Sequence, residues 1–441
     1  MKSGKMKPIN VGLLGIGTVG SGTYSVLARN REEISRRAGC AIIMKMVADK
    51  DIERARKLVG DAASVSGDAL AVVNHPDIDI VVELIGGTTI AKDLILKAIA
   101  NGKHVVTANK ALLAQHGNEI FAAAQRQDVM VAFEAAVGGG IPIIKSLREG
   151  LTANRIEWIA GIINGTSNFI LSEMREKGAA FGVVLKEAQR LGYAEADPTF
   201  DVEGVDAAHK LTIMAAISFG IPMQFKSVYT EGISTLTQED IRYAEELGYR
   251  IKLLGIANRK QRGIELRVHP TLIPARRLIA NVEGVMNAIM VKGDAVGKTM
   301  YYGAGAGAEP TASAVVADLV DVARTLTADP EHRVPHLAFQ PDQLSDTPIL
   351  PIDETESSYY LRLRVLDKPG VLADITRILA DLGISIEAMV QKEPQEGEDR
   401  VDIIMLTHLT VEKHVNAAIA RIEALPVVAG KVTRIRMETL E

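Results

Sequence analysis

The segment INVGLLGIGTVG, Ile9–Gly20, decides the fold. Its first half, INVGLL, is a short apolar run of strand type. Its second half, GIGTVG, Gly15–Gly20, fits G-x-G-x-x-G and opens a helix pattern that reaches about Arg29. Gly15, Gly17 and Gly20 permit a tight turn and let a pyrophosphate approach the backbone, while the helix N-terminus behind them favours anions. A plain strand–helix turn is the competing reading. The strand before the motif and the helix after it are the context that makes it a dinucleotide fingerprint.

The same rhythm continues outward. Strand patterns recur at AIIMKMVAD (Ala41–Asp49), IDIVVELI (Ile78–Ile85), HVVTAN (His104–Asn109) and VMVAFE (Val129–Glu134), with helix patterns such as Ala91–Asn101 and Ala111–Gln127 between them. Strand–helix alternation predicts an α/β, doubly wound parallel sheet over residues 1–134, completed by a helix at about 309–330. After GGGIP (Gly138–Pro142) the rhythm changes. Residues 135–308 read as an α+β domain with a mostly antiparallel sheet, carrying catalysis and oligomerisation. Residues 335–356, rich in prolines and acids, read as a linker. Residues 357–441 follow the order βαββαβ.

Composition narrows the class. Of 441 residues, 47% are hydrophobic and 24% charged, with a net charge of −5, so nothing points to nucleic acid or membrane. No apolar run is long enough to span a bilayer. The basic start MKSGKMKPIN lacks the apolar core of a signal peptide. A single cysteine, Cys40, excludes an internal disulfide and fits a cytoplasmic protein. Cys40 precedes the second strand and reads as packing rather than as a nucleophile. Any aldehyde chemistry is therefore expected to run by direct hydride transfer. Trp158 reads as core.

Asp49 ends the second strand, where an acid binds an adenosine ribose diol; it equally suits a turn residue. Lys50, Arg54 and Arg56 stand close enough in sequence to meet a 2′-phosphate, so NAD and NADP both stay open. TANK (Thr107–Lys110) lies at the C-terminal end of a parallel strand, which makes Lys110 a candidate site residue. EAAVGGGIPI (Glu134–Ile143) offers one acid and accessible carbonyls, suited to a hard cation or to a hinge. In NGTSN (Asn164–Asn168), Thr166 or Ser167 suits a helix cap.

The stretch GYAEADPTFDVEGVDAAHK, Gly192–Lys210, gathers five carboxylates and then one lysine. Pro198 keeps Glu195 and Asp197 on a loop. Asp201 is placed to cap a helix running to about Phe219. Asp206 and Lys210 are four residues apart and share a helix face. As a surface pair they would contribute only about 0–1 kcal/mol. As a site, the carboxylates bind a substrate ammonium group. Their charge raises the lysine pKa, which suits a proton donor to a carbonyl under reduction.

Five motifs in this order, GIGTVG, TANK, EAAVGGGIPI, GIINGTSNF and LGYAEADPTFDVEGVDAAHK, resemble homoserine dehydrogenases over nearly the whole chain. The C-terminal unit, with VLDKPGVLADITRIL, resembles an ACT regulatory domain. The resemblance implies reduction of L-aspartate 4-semialdehyde to L-homoserine with NADPH or NADH, on the route to threonine, methionine and isoleucine. It implies Lys210 as proton donor, and Glu195, Asp206, Asp201 and the Gly192 backbone around the substrate. Lys110 would line the cofactor–substrate junction. Gly17, Thr18 and Val19 would meet the pyrophosphate, and Gly307 the nicotinamide end. A sodium ion would sit on Glu134 and the carbonyls of Val137, Gly139 and Ile141, which turns the reading of that segment from hinge to cation site. Threonine is the implied effector, and a homodimer or homotetramer the implied assembly. With no aspartate-kinase segment, a monofunctional form is expected. The alternatives are another amino-acid dehydrogenase or a non-catalytic dinucleotide and amino-acid sensor.

Overall fold

A computed structural model describes residues 7–326, 329–330, 333–392 and 397–441. The basic start, residues 1–6, and residues 327–328, within the helix expected at about 309–330, lie outside the described residues. The chain forms two compact units: Met1–Ile159 with Asp206–Lys226 and Met286–Thr347, and Ala160–Val205 with Ser227–Val285 and Pro348–Glu441.

In the first unit, β1 (Ile9–Leu14), β2 (Ile42–Ala48), β3 (Ser64–Ser66), β4 (Ile80–Glu83), β5 (His104–Thr107) and β6 (Val131–Ala132) make a parallel sheet of order β3-β2-β1-β4-β5-β6. The chain runs outward from β1 on one side and from β4 on the other. The crevice beyond their C-terminal ends is thus the switch point at which such sheets bind ligands. Val11 and Leu13 are fully buried in a core completed by Val315 and Leu319 of helix Ala308–Thr325. The sixth strand is shorter than its sequence predicts. It pairs only with β5, and Glu134 leaves the strand to start a 3₁₀ turn, Glu134–Ala136.

The division between the units falls within β7 (Ile156–Ile162). Trp158 on this strand is half-buried, not core, although Ile156 and Ala160 two residues to either side are buried.

In the second unit, β8 (Tyr229–Thr230), β9 (Tyr249–Arg259) and β10 (Ile264–Pro274) lead into the C-terminal strands. β9 and β10 form a long antiparallel pair. The first unit then adds the antiparallel pair β11 (Met286–Gly293) and β12 (Gly297–Ala304). The C-terminal strands are β13 (Glu356–Leu366), β14 (Ile386–Gln391), β15 (Arg400–Thr407), the short β16 (Thr410–Val411) and β17 (Val428–Met437). With helices Val371–Asp381 and Glu412–Glu423 they give the expected βαββαβ order. β17 also pairs in parallel with β10, Thr271 opposite Arg436. A buried ion network seals that seam. Arg436 donates to Glu412 from Nε at 2.8 Å and Nη2 at 2.5 Å, and to Glu231 from Nη1 at 2.8 Å.

No helix among the described residues is long and apolar enough to cross a membrane.

Candidate active site

The glycines after β1 have separate tasks. Gly15 sits at φ +94°, and a Cβ there would lie 2.8 Å from the Leu84 carbonyl oxygen. A Cβ on Gly20 would lie 2.0 Å from the Gly15 carbonyl oxygen, so only glycine lets helix Thr18–Arg29 pack this close to its own turn. A Cβ on Gly22 would come within 2.5 Å of the Ala308 carbonyl oxygen, so helices Thr18–Arg29 and Ala308–Thr325 start side by side. Gly17 is different. Nothing lies within 4 Å of its missing Cβ, so Gly17 faces open space at the start of the helix.

The residues that follow it line a cleft of about 210 Å³, with Thr18 and Val19 on one helix start, Gly307 and Thr311 on the other, and Lys110, Gly139 and Lys210. Two helix N-termini aimed at one cleft favour an anion. A dinucleotide phosphate fits this lining. The Asp49 carboxylate accepts from the amides of Ile16 at 2.6 Å and Asp51 at 2.8 Å, and so braces the glycine turn. Lys50, Arg54 and Arg56 are exposed beside it in sequence.

The lysine site is buried. Helix Val205–Phe219 carries Asp206 and Lys210, with side chains 5% and 10% exposed. This excludes the surface-pair reading. Asp206 Oδ2 accepts from Lys210 Nζ at 2.6 Å, and its Oδ1 pairs with Lys110 Nζ at 3.1 Å. One carboxylate therefore holds two ammonium groups, and the trio keeps a formal charge of +1. His209, in the same helix, packs its ring tilted against Phe225 at a centroid distance of 4.3 Å. Burial, opposed by Asp206 and aided by the neighbouring lysines, pushes its pKa down to about 4. The imidazole is neutral at pH 7.

Gly192, Glu195 and Asp201 belong to the second unit. Gly192, at φ +78°, and the exposed Glu195 lie on the loop after helix Phe181–Arg190. This loop is stapled by the NGTSN segment. Thr166 Oγ1 donates to the Tyr193 carbonyl at 2.6 Å, and Asn164 Nδ2 donates to Asp201 Oδ1 at 2.7 Å. Two sequence expectations are corrected here. The cap of helix Gly165–Lys177 is Asn164, whose Oδ1 accepts from Ser167 N at 2.8 Å, because Thr166 and Ser167 already lie inside the helix. Asp201 does not cap the long helix. It lies in a separate turn, Thr199–Val202, cut off by Gly204 at φ +80°.

Glu134 is nearly buried, and its two oxygens accept from the amides of Ile144 at 2.9 Å and Lys145 at 2.8 Å. Burial pushes its pKa up to about 7, against those two amide bonds. Asp318, fully enclosed, accepts from the Glu134 amide at 2.8 Å and is raised well above the usual carboxylate range, by burial first and by Glu134 second. The Ile141 carbonyl accepts from Ile143 N at 2.8 Å. Among the described residues the carbonyls of Val137 and Gly139 accept no hydrogen bond. These oxygens are of the ligand type that a hard cation takes. The described residues contain no cluster of three His, Cys, Asp or Glu side chains of the kind that holds a transition metal.

Sequence reading missed Thr311 and Gly305, which line the cleft, and the pairing of Lys110 with Asp206. The proline of AEPTA, Pro310, marks the first turn of the helix that begins at Ala308, and was the available signal for the former.

Residues 15–134 match the family described as "Homoserine dehydrogenase, NAD binding domain", residues 142–320 that described as "Homoserine dehydrogenase", and residues 359–427 the "ACT domain". The chain is 64% identical over 435 residues to a homoserine dehydrogenase of Pseudomonas aeruginosa, covering 99% of this chain and 100% of that protein. It is similar to the crystal structure of a homoserine dehydrogenase from Thiobacillus denitrificans, at a TM-score of 0.95 and 72% identity over 99% of each chain. A hyperthermophilic archaeal homoserine dehydrogenase in complex with NADPH aligns at a TM-score of 0.63 and 25% identity, over 73% of this chain and 99% of that one.

The glycine geometry separates binding from folding. Gly17→Ala is expected to melt near the wild-type temperature yet bind dinucleotide at least about tenfold more weakly, a loss of roughly 1.4 kcal/mol. Gly20→Ala is expected to lose about 1–3 kcal/mol of stability or more through overpacking. Thermal melts and nucleotide fluorescence titrations of both variants check this, and a stable Gly20→Ala with unchanged binding by Gly17→Ala would reverse the assignment.

Proposed function

The chain belongs to the homoserine dehydrogenase family, and on that premise we propose that it reduces L-aspartate 4-semialdehyde to L-homoserine with NADPH or NADH, in supply of threonine, methionine and isoleucine. The observation that carries this reading is the Asp206 carboxylate between Lys110 and Lys210, in a cleft also lined by two helix N-termini. When bound there, reduced nicotinamide supplies the hydride. Negative charge then gathers on the aldehyde oxygen. Lys210 Nζ gives that oxygen a proton, and Lys110 and the net positive charge of the trio stabilise it on the way. Asp206 keeps both ammonium groups oriented. Glu195, Asp201 and the Gly192 backbone hold the amino-acid end of the substrate. Gly15, Gly17, Thr18, Val19, Gly20 and Gly307 receive the dinucleotide, with Asp49 at the adenosine end. In this division of labour residues 1–134 and the helix at about 309–330 bind cofactor, 135–308 catalyse and assemble, 335–356 link, and 357–441 regulate.

A sodium ion on Glu134 and the carbonyls of Val137, Gly139 and Ile141 belongs to the same reading. Its support is the uncapped carbonyls and the upward push that burial exerts on Glu134. The ACT tail binds an amino acid, with threonine as feedback inhibitor. The turn DKPG, Asp367–Gly370, precedes helix Val371–Asp381, where free amides suit an effector carboxylate.

Loss of NAD(P)H absorbance with aspartate semialdehyde is the direct assay, run with each cofactor and in sodium or choline chloride. Lys210→Ala is expected to lower kcat by about 10²–10⁴. A loss below tenfold removes Lys210 as donor, and equal rates in the two salts remove the cation.

Threonine inhibition is expected to weaken at least about tenfold in Lys368→Glu, since an added negative charge at the helix start costs roughly a kcal/mol or more against a bound carboxylate. Unchanged inhibition would exclude this turn as the effector site.

For assembly, we expect a homodimer or homotetramer through the sheet of the middle domain. Tyr302 on β12 is 59% exposed and supports this. A 47.4 kDa particle in light scattering would reject it.

A further inference from the structure

We propose that Glu83 is a positioning residue of the reduction, acting through Thr107 and Asn109 to set Lys110. The proposal rests on the reading of Lys110 as a lysine of the reacting cleft.

Glu83 ends β4 at the switch point and has no exposed surface. Its Oε1 accepts from the amides of Ile85 at 2.9 Å and Gly86 at 3.0 Å, and its Oε2 accepts from Thr107 Oγ1 at 2.7 Å. Among the described residues no cationic side chain pairs with it. A buried carboxylate held only by neutral dipoles is costly, and an apolar residue at the end of an interior strand would avoid that cost. The position therefore has a task beyond keeping the sheet together.

The bonds show the task. Thr107 ends β5, and its Oγ1 also accepts from the Asn109 amide at 3.0 Å. Asn109 Oδ1 caps helix Lys110–Arg126 through Leu112 N at 3.1 Å, and its Nδ2 donates to the Gly87 carbonyl at 2.7 Å. The turns after β4 and β5 are thus tied into one block. Lys110 is the first helical residue after that block, and its Nζ is the group paired with Asp206 at 3.1 Å. A shift of the turn moves Lys110 against Asp206, and a misplacement of about 1 Å at a reacting centre costs up to about a hundredfold in rate.

The two oxygens of Glu83 have different partners, which makes a selective test available. Glu83→Gln retains an oxygen for the two turn amides. It sets an NH₂ group against the Thr107 hydroxyl, which then has no acceptor there. Thr107→Val removes the same link from the other side and leaves the carboxylate and its amide bonds in place. If Glu83→Gln does not fold, Thr107→Val carries the test alone. Each is expected to lower kcat/KM at least about tenfold with a melting temperature near wild type, and Thr107→Ser to recover most of what Thr107→Val loses. In a Lys110→Ala background, either variant is expected to add less than about twofold, because the residue through which it acts is gone. Full additivity with Lys110→Ala, or wild-type kcat/KM in a folded Thr107→Val, would overturn the proposal. Wild-type activity in Lys110→Ala alone would instead overturn the reading of Lys110.

Discussion

The carboxylate of Asp206 holds two lysines that would otherwise be incompatible neighbours. Helix Val205–Phe219 is buried on nearly every side, so any charge it carries must be paired. Removing one partner from a buried ion pair typically costs about 3–5 kcal/mol, because the other charge stays behind uncompensated. Asp206 meets that demand with its two oxygens in different directions, one within its own helix and one toward the N-terminus of helix Lys110–Arg126. The result is a surplus positive charge at a fixed place, already oriented before a substrate arrives. A reaction that creates negative charge on oxygen gains most from such an arrangement.

That charge lies in the cleft at which two helices begin, and backbone geometry brings those two helix starts together. Gly20 and Gly22 lie where a side chain would strike a carbonyl, so helices Thr18–Arg29 and Ala308–Thr325 begin next to each other. Their combined partial charges face the cleft that Lys110 and Lys210 line. One sequence-distant helix thereby completes a site that the first twenty residues only begin.

Much of this was legible in the residues. The glycine spacing after an apolar run led to the parallel sheet, and the βαββαβ order of the tail was readable strand by strand. The four-residue spacing of Asp206 and Lys210 placed them on one face. Burial was not legible: the same spacing describes a solvated pair, and only the packing of the whole helix decides between them. The cap at Asn164 was lost among three polar neighbours that all suit the role. Glu83 was invisible for a related reason. Inside the run Ile78–Ile85 one acid carries no sign that it is buried, and its partner Thr107 is distant in sequence although adjacent in the sheet.

The tail illustrates the same limit on a larger scale. A run of prolines and acids before a βαββαβ pattern suggests a module on a tether. Instead β17 is hydrogen-bonded to β10, and Ile264 of β10 exchanges backbone bonds with Pro348 and Leu350 from the connecting segment. At this seam Arg436 is fully buried and reaches Glu412 on the tail's second helix as well as Glu231. The next residue, Gly232, has no space for a side chain, because a Cβ would lie 2.5 Å from the Val202 carbonyl oxygen. Ile233 N donates to that same carbonyl at 2.9 Å, and Val202 follows Asp201, which holds the segment stapled to the Gly192–Glu195 loop. The tail therefore cannot slide along β10 without separating a buried ion pair and disturbing a contact that has no slack. Within this unit the C-terminal strands and the acidic loop are parts of one packed body.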